Sequence, residues 1–183
     1  MGYAIAKMAM LRGAEVTLVS GPTAIAPPPF VNVVPITSAK DMYAAVTALA
    51  PAADYIFKAA AVADYTPMDY SDNKVKKKDG DMSIALQRTQ DILGYLGQHR
   101  TDCQIICGFS METENMLENS RTKLLKKQVD MICANNLKVA GAGFGVDTNI
   151  ITLITKNEII ELPLLSKEMA ANEILNQAMK LSK

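Results

Sequence analysis

Four short stretches of this sequence combine residue types that chemistry can use. Residues 58–65 read KAAAVADY. Their small side chains let a ligand approach the backbone, and Asp64 follows as a carboxylate suited to holding Mg2+ or a ribose hydroxyl. The same residues also suit a buried strand whose alanines pack a helix, with Asp64 capping the next turn. Residues 74–78 read KVKKK, beginning at Lys74. Lysine ammonium groups are compact charges suited to polyphosphate or a phosphoryl-transfer transition state, although a lysine run is also what a solvated loop contains. In GFSMET, residues 108–113, Gly108 permits close approach. Phe109 offers a ring for a base, a contact worth ~1–3 kcal/mol; core packing by Phe109 and a helix cap by Thr113 is the alternative. Lys123 and Lys127 are four apart, hence on one face of a helix, a spacing also common among surface lysines.

The rest of the composition narrows the field. The chain has 183 residues, 49% hydrophobic and 21% charged, with nineteen basic residues balancing nineteen acidic ones. A neutral balance argues against nonspecific nucleic-acid binding, which draws on a basic surplus. Three cysteines (Cys103, Cys107, Cys133) without a CxxC pair, and a single histidine, His99, argue against a disulfide framework and a Cys/His zinc site. The cysteines lie in or beside apolar strands and read as core fillers. His99, beside Arg100 at a helix end, reads as a surface residue compensating the helix dipole. No apolar run approaches the ~18 residues of a membrane span, and the opening MGYAIAKMAMLRGAEV lacks the separate apolar core of a signal peptide. The expectation is a cytoplasmic protein, bound to neither membrane nor nucleic acid, with one domain over residues 1–183.

The elements that must position these residues follow from periodicity and punctuation. Ile5, Met8 and Ala9 at helical spacing predict a helix over 1–11, stopped by Gly13. A β-rich run over 15–21 follows, then a proline-rich loop (Pro22, Pro27, Pro28, Pro29) and a strand over 31–36. Thr37-Ser38 offers a cap for a helix over 39–49 with Met42, Val46 and Leu49 on one face. A strand over 54–61 leads into a polar stretch, 64–82, predicted to be an irregular functional loop. Alternation then resumes: helix 91–100, strand 104–108, helix 114–128 with Leu117, Leu124 and Leu125 inward, strand 130–134, a Gly-rich turn at 141–145, a hairpin over 150–162, and a closing helix over 166–181 capped by Ser166. This pattern predicts a three-layer α/β/α sandwich with a mainly parallel sheet and a late β-hairpin. In such sheets ligands sit beyond the carboxyl ends of the strands, which nominates residues 18–21, 59–64, 108–112 and 134–136.

Taken in order, the pieces MGYAIAKMAMLRGAEVTLVSGP, KAAAVADYTP, KVKKK, RTQDIL, CGFSMETE, KLLKKQVDMICANN, GFGVDTNIITLI and ELPLLSKEMAANEIL resemble the phosphopantothenate–cysteine ligases of bacterial coenzyme A biosynthesis. The likeness spans essentially the whole chain. It implies a Rossmann-like fold and the CTP-dependent coupling of 4′-phosphopantothenate to cysteine through an acyl-cytidylate, with Mg2+ accompanying the nucleotide. By the same resemblance Ala60 lines the nucleotide pocket and Asp64 sits by the nucleotide and its metal. Lys74 closes over the acyl-cytidylate and assists its attack by cysteine. Thr89, Gln90, Asp91 and Ile92 form a nucleotide-contacting segment, in which Thr89 and Gln90 stand where the family usually has Asn-Pro; Phe109, Lys123 and Lys127 complete the CTP contacts.

Family members form homodimers, and many carry a fused flavin-dependent decarboxylase domain, which would hold FMN that this chain would not. They also place a strand, a Gly-rich turn and an Asn-x-Ser-Ser-Gly-Lys segment ahead of the Met-Gly with which this sequence opens. That comparison leads to the expectation of a truncated domain and a poor catalyst. Two other readings are a nucleotide-binding or dimerising fragment without the reaction, and an NAD(P)-binding Rossmann protein. The absence of GxGxxG after a strand speaks against the last.

Overall fold

The structure is a computed structural model that describes residues 1–69, 71, 73–76, 79–112, 115–136 and 145–182. Helix α1 (Gly2–Leu11) ends in a turn where Gly13 takes φ 86°, the left-handed region that glycine enters at little cost. Strands β1 (Thr17–Ser20) and β2 (Asn32–Pro35) pair in parallel. Helix α2 (Ala39–Leu49) opens on a capping box: Asp41 N–H donates to Ser38 Oγ at 3.1 Å, and Ser38 N–H donates to the Asp41 carboxylate at 2.8 Å. This reciprocal pair satisfies two helix-end donors and explains why sequence located the helix so well.

Strand β3 (Tyr55–Lys58) and the long β6 (Ile105–Glu112) are parallel neighbours, with Lys58 opposite Gly108. β7 (Met131–Asn136) continues the parallel order, and β9 (Ile151–Thr155) and β10 (Ile159–Glu161) add the antiparallel hairpin. The sheet order is β10-β9-β7-β6-β3. β8 (Thr148–Asn149) and β11 (Leu165–Ser166) form a small clip before α5 (Lys167–Leu181). Among the described residues the β1–β2 pair shares no hydrogen-bonded ladder with β3; α1 instead packs against both β1 and β3.

Two-residue alternation along the central strands divides the core into two layers. Ile105, Cys107, Met131, Cys133, Ile151 and Leu153 face α1 and α5, meeting Ile5 and Ile174. Ile106, Ile132, Ala134 and Ile154 face α2, α3 (Ile92–Gln98) and α4 (Met116–Lys127), meeting Met42, Leu93, Leu96 and Leu124. The result is a three-layer α/β/α Rossmann-like sandwich.

Three expectations need correction. The stretch after residue 64 is not wholly irregular: β4 (Tyr65–Pro67) and β5 (Leu86–Arg88) pair as an antiparallel arm. In α4 only Leu124 is fully inward, at 1% exposure, while Leu117 and Leu125 are 38% and 65% exposed; Leu125 lies about 100° around the helix from Leu124. Cys103 is exposed whereas Cys107 and Cys133 are buried, and burial pushes both buried thiols well above the usual range. Residues 113–114 and 137–144, which include Thr113 and most of the Gly-rich turn, lie outside the described residues. Among the described residues no helix is long and apolar enough to cross a membrane.

Candidate functional site

The β4–β5 arm is the device that assembles the site. Pairing Tyr65 with Arg88 carries the register on to Asp64 and Thr89. The Thr89 amide donates to the Asp64 carbonyl at 3.0 Å, and Thr89 Oγ1 donates to the Ala63 carbonyl at 2.6 Å. Two segments far apart in sequence are thereby clamped side by side at the carboxyl end of β3. The Arg88 guanidinium sits 5.8 Å from the centre of the Tyr65 ring, a cation–π distance that braces the base of the arm.

Asp91 then caps α3, its carboxylate accepting from the Gly94 amide at 3.0 Å and from the Lys127 ammonium. Gly97 makes the second contact sterically feasible, because a Cβ there would collide with the backbone carbonyl of Lys127. Without that side chain α3 lies directly against the end of α4, and Asp91 meets Lys127. Burial alone would raise the Asp91 pKa. The Lys127 hydrogen bond, the Gly94 amide and the charges of Lys127 and Lys58 outweigh it and hold the carboxyl below its usual range.

One turn earlier on α4, Lys123 donates to the Phe109 carbonyl at 2.9 Å. Across the strand ends, Lys58 donates to the Ala60 carbonyl at 2.9 Å. Removal from water is the main reason that the Lys58 pKa falls below the usual lysine value. The charge of Lys123 adds to this, and Asp91 and Asp64 partly oppose it. Between these groups lies a cavity of about 270 Å3 lined by Lys58, Val62, Asp64, Tyr65, Arg88, Thr89, Gln90, Asp91, Ile92, Leu93 and Lys127.

Six residues singled out from sequence therefore share one cavity: Asp64, Thr89, Gln90, Asp91, Ile92 and Lys127. Ala60 is tied to the same strand end through its carbonyl, and Lys123 is a neighbour of Lys58. Phe109 lends its carbonyl to Lys123, while its half-buried ring packs against the core on the α1/α5 face. Lys74 is exposed and does not line the cavity; Lys77 and Lys78 lie outside the described residues. Sequence reasoning quoted the stretches that contain Lys58, Tyr65 and Arg88 but gave none of the three a role. Strand parity could have found Lys58, since it shares the face of Ile56, whereas Tyr65 and Arg88 become meaningful only once the arm is known. A second cavity, about 500 Å3, lies beside α1 and the proline loop and contains none of the nominated residues.

Residues 1–181 match the family described as the DNA/pantothenate metabolism flavoprotein C-terminal domain. The chain belongs to this family. Among curated relatives, the coenzyme A biosynthesis bifunctional protein CoaBC of Bacillus subtilis (strain 168) is 45% identical over 185 residues, covering 100% of this chain and 45% of that protein. The CoaBC of Escherichia coli (strain K12) is 37% identical over 180 residues, covering 97% and 44%. The solved C-terminal domain of a CoaBC aligns with TM-score 0.82 at 43% identity, covering 98% of this chain and 81% of that one. A Cab2 mutant in complex with phosphopantothenate-cysteine shares the fold at 14% identity and TM-score 0.77, covering 98% and 77%. The chain spans about half the length of the curated relatives it matches, 45% of the Bacillus protein.

Proposed function

We propose that this chain is the amide-forming ligase domain of coenzyme A biosynthesis, joining 4′-phosphopantothenate to cysteine with CTP as activating co-substrate. One observation carries the reading. Residues from three separate segments, each assigned to the nucleotide by family resemblance, line a single cavity at the carboxyl ends of parallel strands, where α/β sheets bind ligands. The names of the relatives agree with it.

A carboxylate is a poor acyl donor until its oxygen becomes a good leaving group. In the proposed reaction the phosphopantothenate carboxylate attacks the α-phosphate of CTP, forming the acyl-cytidylate and releasing pyrophosphate. The cysteine amine then attacks the acyl carbon, the C–O bond breaks, and CMP leaves. In this scheme Lys127, Lys123 and the Asp91 carboxylate bind and orient the nucleotide, and Ala60 and Thr89 form the wall beside it. Gln90 and Ile92 complete the lining, Phe109 contributes through its carbonyl, which holds Lys123, and Lys74 approaches from the stretch between β4 and β5.

Mg2+ fits as a partner of the nucleotide rather than as a resident ion. Among the described residues no group of three or more His, Cys, Asp or Glu side chains stands ready to hold a metal, whereas Asp64 presents one carboxylate to the cavity. Mg2+ is commonly held by one or two carboxylates together with substrate phosphates, and it would neutralise phosphate charge there. A homodimer, and a fused or separate flavin-dependent decarboxylase carrying FMN, are the partners proposed.

The test is to incubate the protein with CTP, Mg2+, 4′-phosphopantothenate and cysteine and to follow CMP and the amide by mass spectrometry, with CTP binding measured by calorimetry. The expected result is CTP binding, with CMP and amide appearing in equal amounts. Binding without turnover would favour the nucleotide-binding fragment instead; no binding at millimolar CTP would overturn the nucleotide reading.

A further inference from the structure

β3 leaves the core in an unusual way. Ile56 packs among the apolar residues under α2, α3 and α4, and the next side chain on that face is Lys58, by strand alternation. An ammonium thus stands where the apolar column reaches the mouth of the cavity. It is half-buried, its named hydrogen bond is to the Ala60 carbonyl at 2.9 Å, and a lysine carries three donors. Lys123 and Lys127 approach from α4, Asp91 from the cap of α3 and Asp64 from the β3–β4 connection. Arg88 and Tyr65 of the arm line the same cavity, and the β6 residue opposite Lys58 is Gly108, which carries no charge.

Three ammonium groups converge here, and Asp91 is already engaged by one of them, Lys127. An arrangement of cations drawn together and partly removed from water is unfavourable until an anion joins it. We propose that Lys58 is a further ligand-binding residue of this cavity, its ammonium meeting an anionic phosphate oxygen of the bound nucleotide. This rests on the reading of the cavity as a nucleotide site. The lowered pKa of Lys58 belongs to the same balance: Asp91 and Asp64 only partly offset burial and the neighbouring lysines, and a phosphate would add further negative charge. Binding and protonation of Lys58 are therefore linked. Affinity is greatest while Lys58 is protonated and falls as pH rises through its lowered pKa.

The experiment titrates the protein with CTP and with cytidine between about pH 7 and 10, a span below the ordinary lysine value, using wild type, Lys58→Met and Lys58→Arg. Lys58→Met should weaken CTP binding roughly 10- to 100-fold, the usual loss for a hydrogen bond to a charged group, and leave cytidine binding unchanged. Wild-type affinity for CTP should fall with pH, and Lys58→Met should abolish the part of that fall due to Lys58. Lys58→Arg should retain affinity while removing the same part, because guanidinium stays protonated throughout. In parallel, CTP should shield Lys58 from acetic anhydride in the wild-type protein, a readout that does not depend on any variant folding.

Equal CTP affinity and equal pH profiles in wild type and Lys58→Met would overturn the assignment while leaving the nucleotide reading intact. Failure of wild type to bind CTP would overturn both. Equal losses for CTP and cytidine would show that Lys58 shapes the pocket rather than meeting phosphate.

Discussion

At the scale of single residues, the cavity gathers more lysines than aspartates, and their tasks differ. Lys127 is engaged by Asp91, Lys123 by the Phe109 carbonyl and Lys58 by the Ala60 carbonyl. Lys74 stands apart, exposed on the stretch that joins β4 to β5. If Lys74 acts after the nucleotide is engaged, its loss spares activation and slows the second half-reaction. Attack by a neutral amine on the mixed anhydride builds negative charge on the carbonyl and the leaving phosphate, and a mobile ammonium stabilises that charge. Lys74→Gln should therefore release pyrophosphate normally but accumulate acyl-cytidylate, with amide formation slowed ~10²–10³-fold. Rapid-quench mass spectrometry reads both species. Normal amide formation would return Lys74 to the role of a solvated loop residue.

At the scale of elements, the site depends on how closely α3 and α4 approach. Gly97 sets that distance, since a Cβ there would strike the Lys127 backbone carbonyl, which has no flexible end to move aside. Alanine has the better helix propensity by ~1 kcal/mol, but overpacking costs ~1–3 kcal/mol, so the steric term should win. Gly97→Ala is expected to lower Tm by up to about 8 °C for a domain of this size and to weaken CTP binding by parting Asp91 from Lys127. Gly108→Ala should cost less. Its Cβ would meet the side-chain end of Leu93 at 2.6 Å, and that end can turn away. Calorimetric melts of the two variants make the comparison, and an undisturbed Gly97→Ala would show that the helices slide freely. Elements with local signals were legible in the sequence: α2 from its Ser38 cap, α5 from Ser166, and the β9–β10 hairpin from its alternation. The β4–β5 arm was not. Its strands are three residues long and exposed throughout, so neither face carries a buried stripe for periodicity to reveal. Six residues lining the candidate cavity were singled out from sequence, but their assembly was not legible there, because Asp64 and Thr89 meet through that arm.

At the scale of the whole molecule, stability is distributed unevenly, and the distribution follows the architecture. The centre of the sheet, β6, β7 and β9, is closed off on both faces: Ile106, Cys107, Met131, Ile132, Cys133, Ile151 and Ile154 are 0% exposed. The arm is held by a three-residue ladder whose side chains lie open to water, and among the described residues the β1–β2 pair joins no other strand. Local opening should therefore reach the arm far more readily than the sheet centre, since buried apolar contacts set the cost of opening. Hydrogen exchange is expected to show slow amides at Ile132, Cys133 and Leu153, governed by global unfolding, and fast exchange across Tyr65–Pro67 and Leu86–Arg88. Thr89 is the informative exception. Its amide is bonded to the Asp64 carbonyl and its hydroxyl to the Ala63 carbonyl, so it should exchange more slowly than the arm beyond it. A nucleotide seated between Asp64 and Asp91 binds the closed arm and not the open one. CTP should then slow exchange at Thr89 and in the arm by the factor 1 + [L]/Kd, while leaving β6 and β7 little changed in the range where only local opening is sampled. Equal slowing at every amide would mean that the arm opens only when the whole domain does, and no change at Thr89 would place the nucleotide elsewhere.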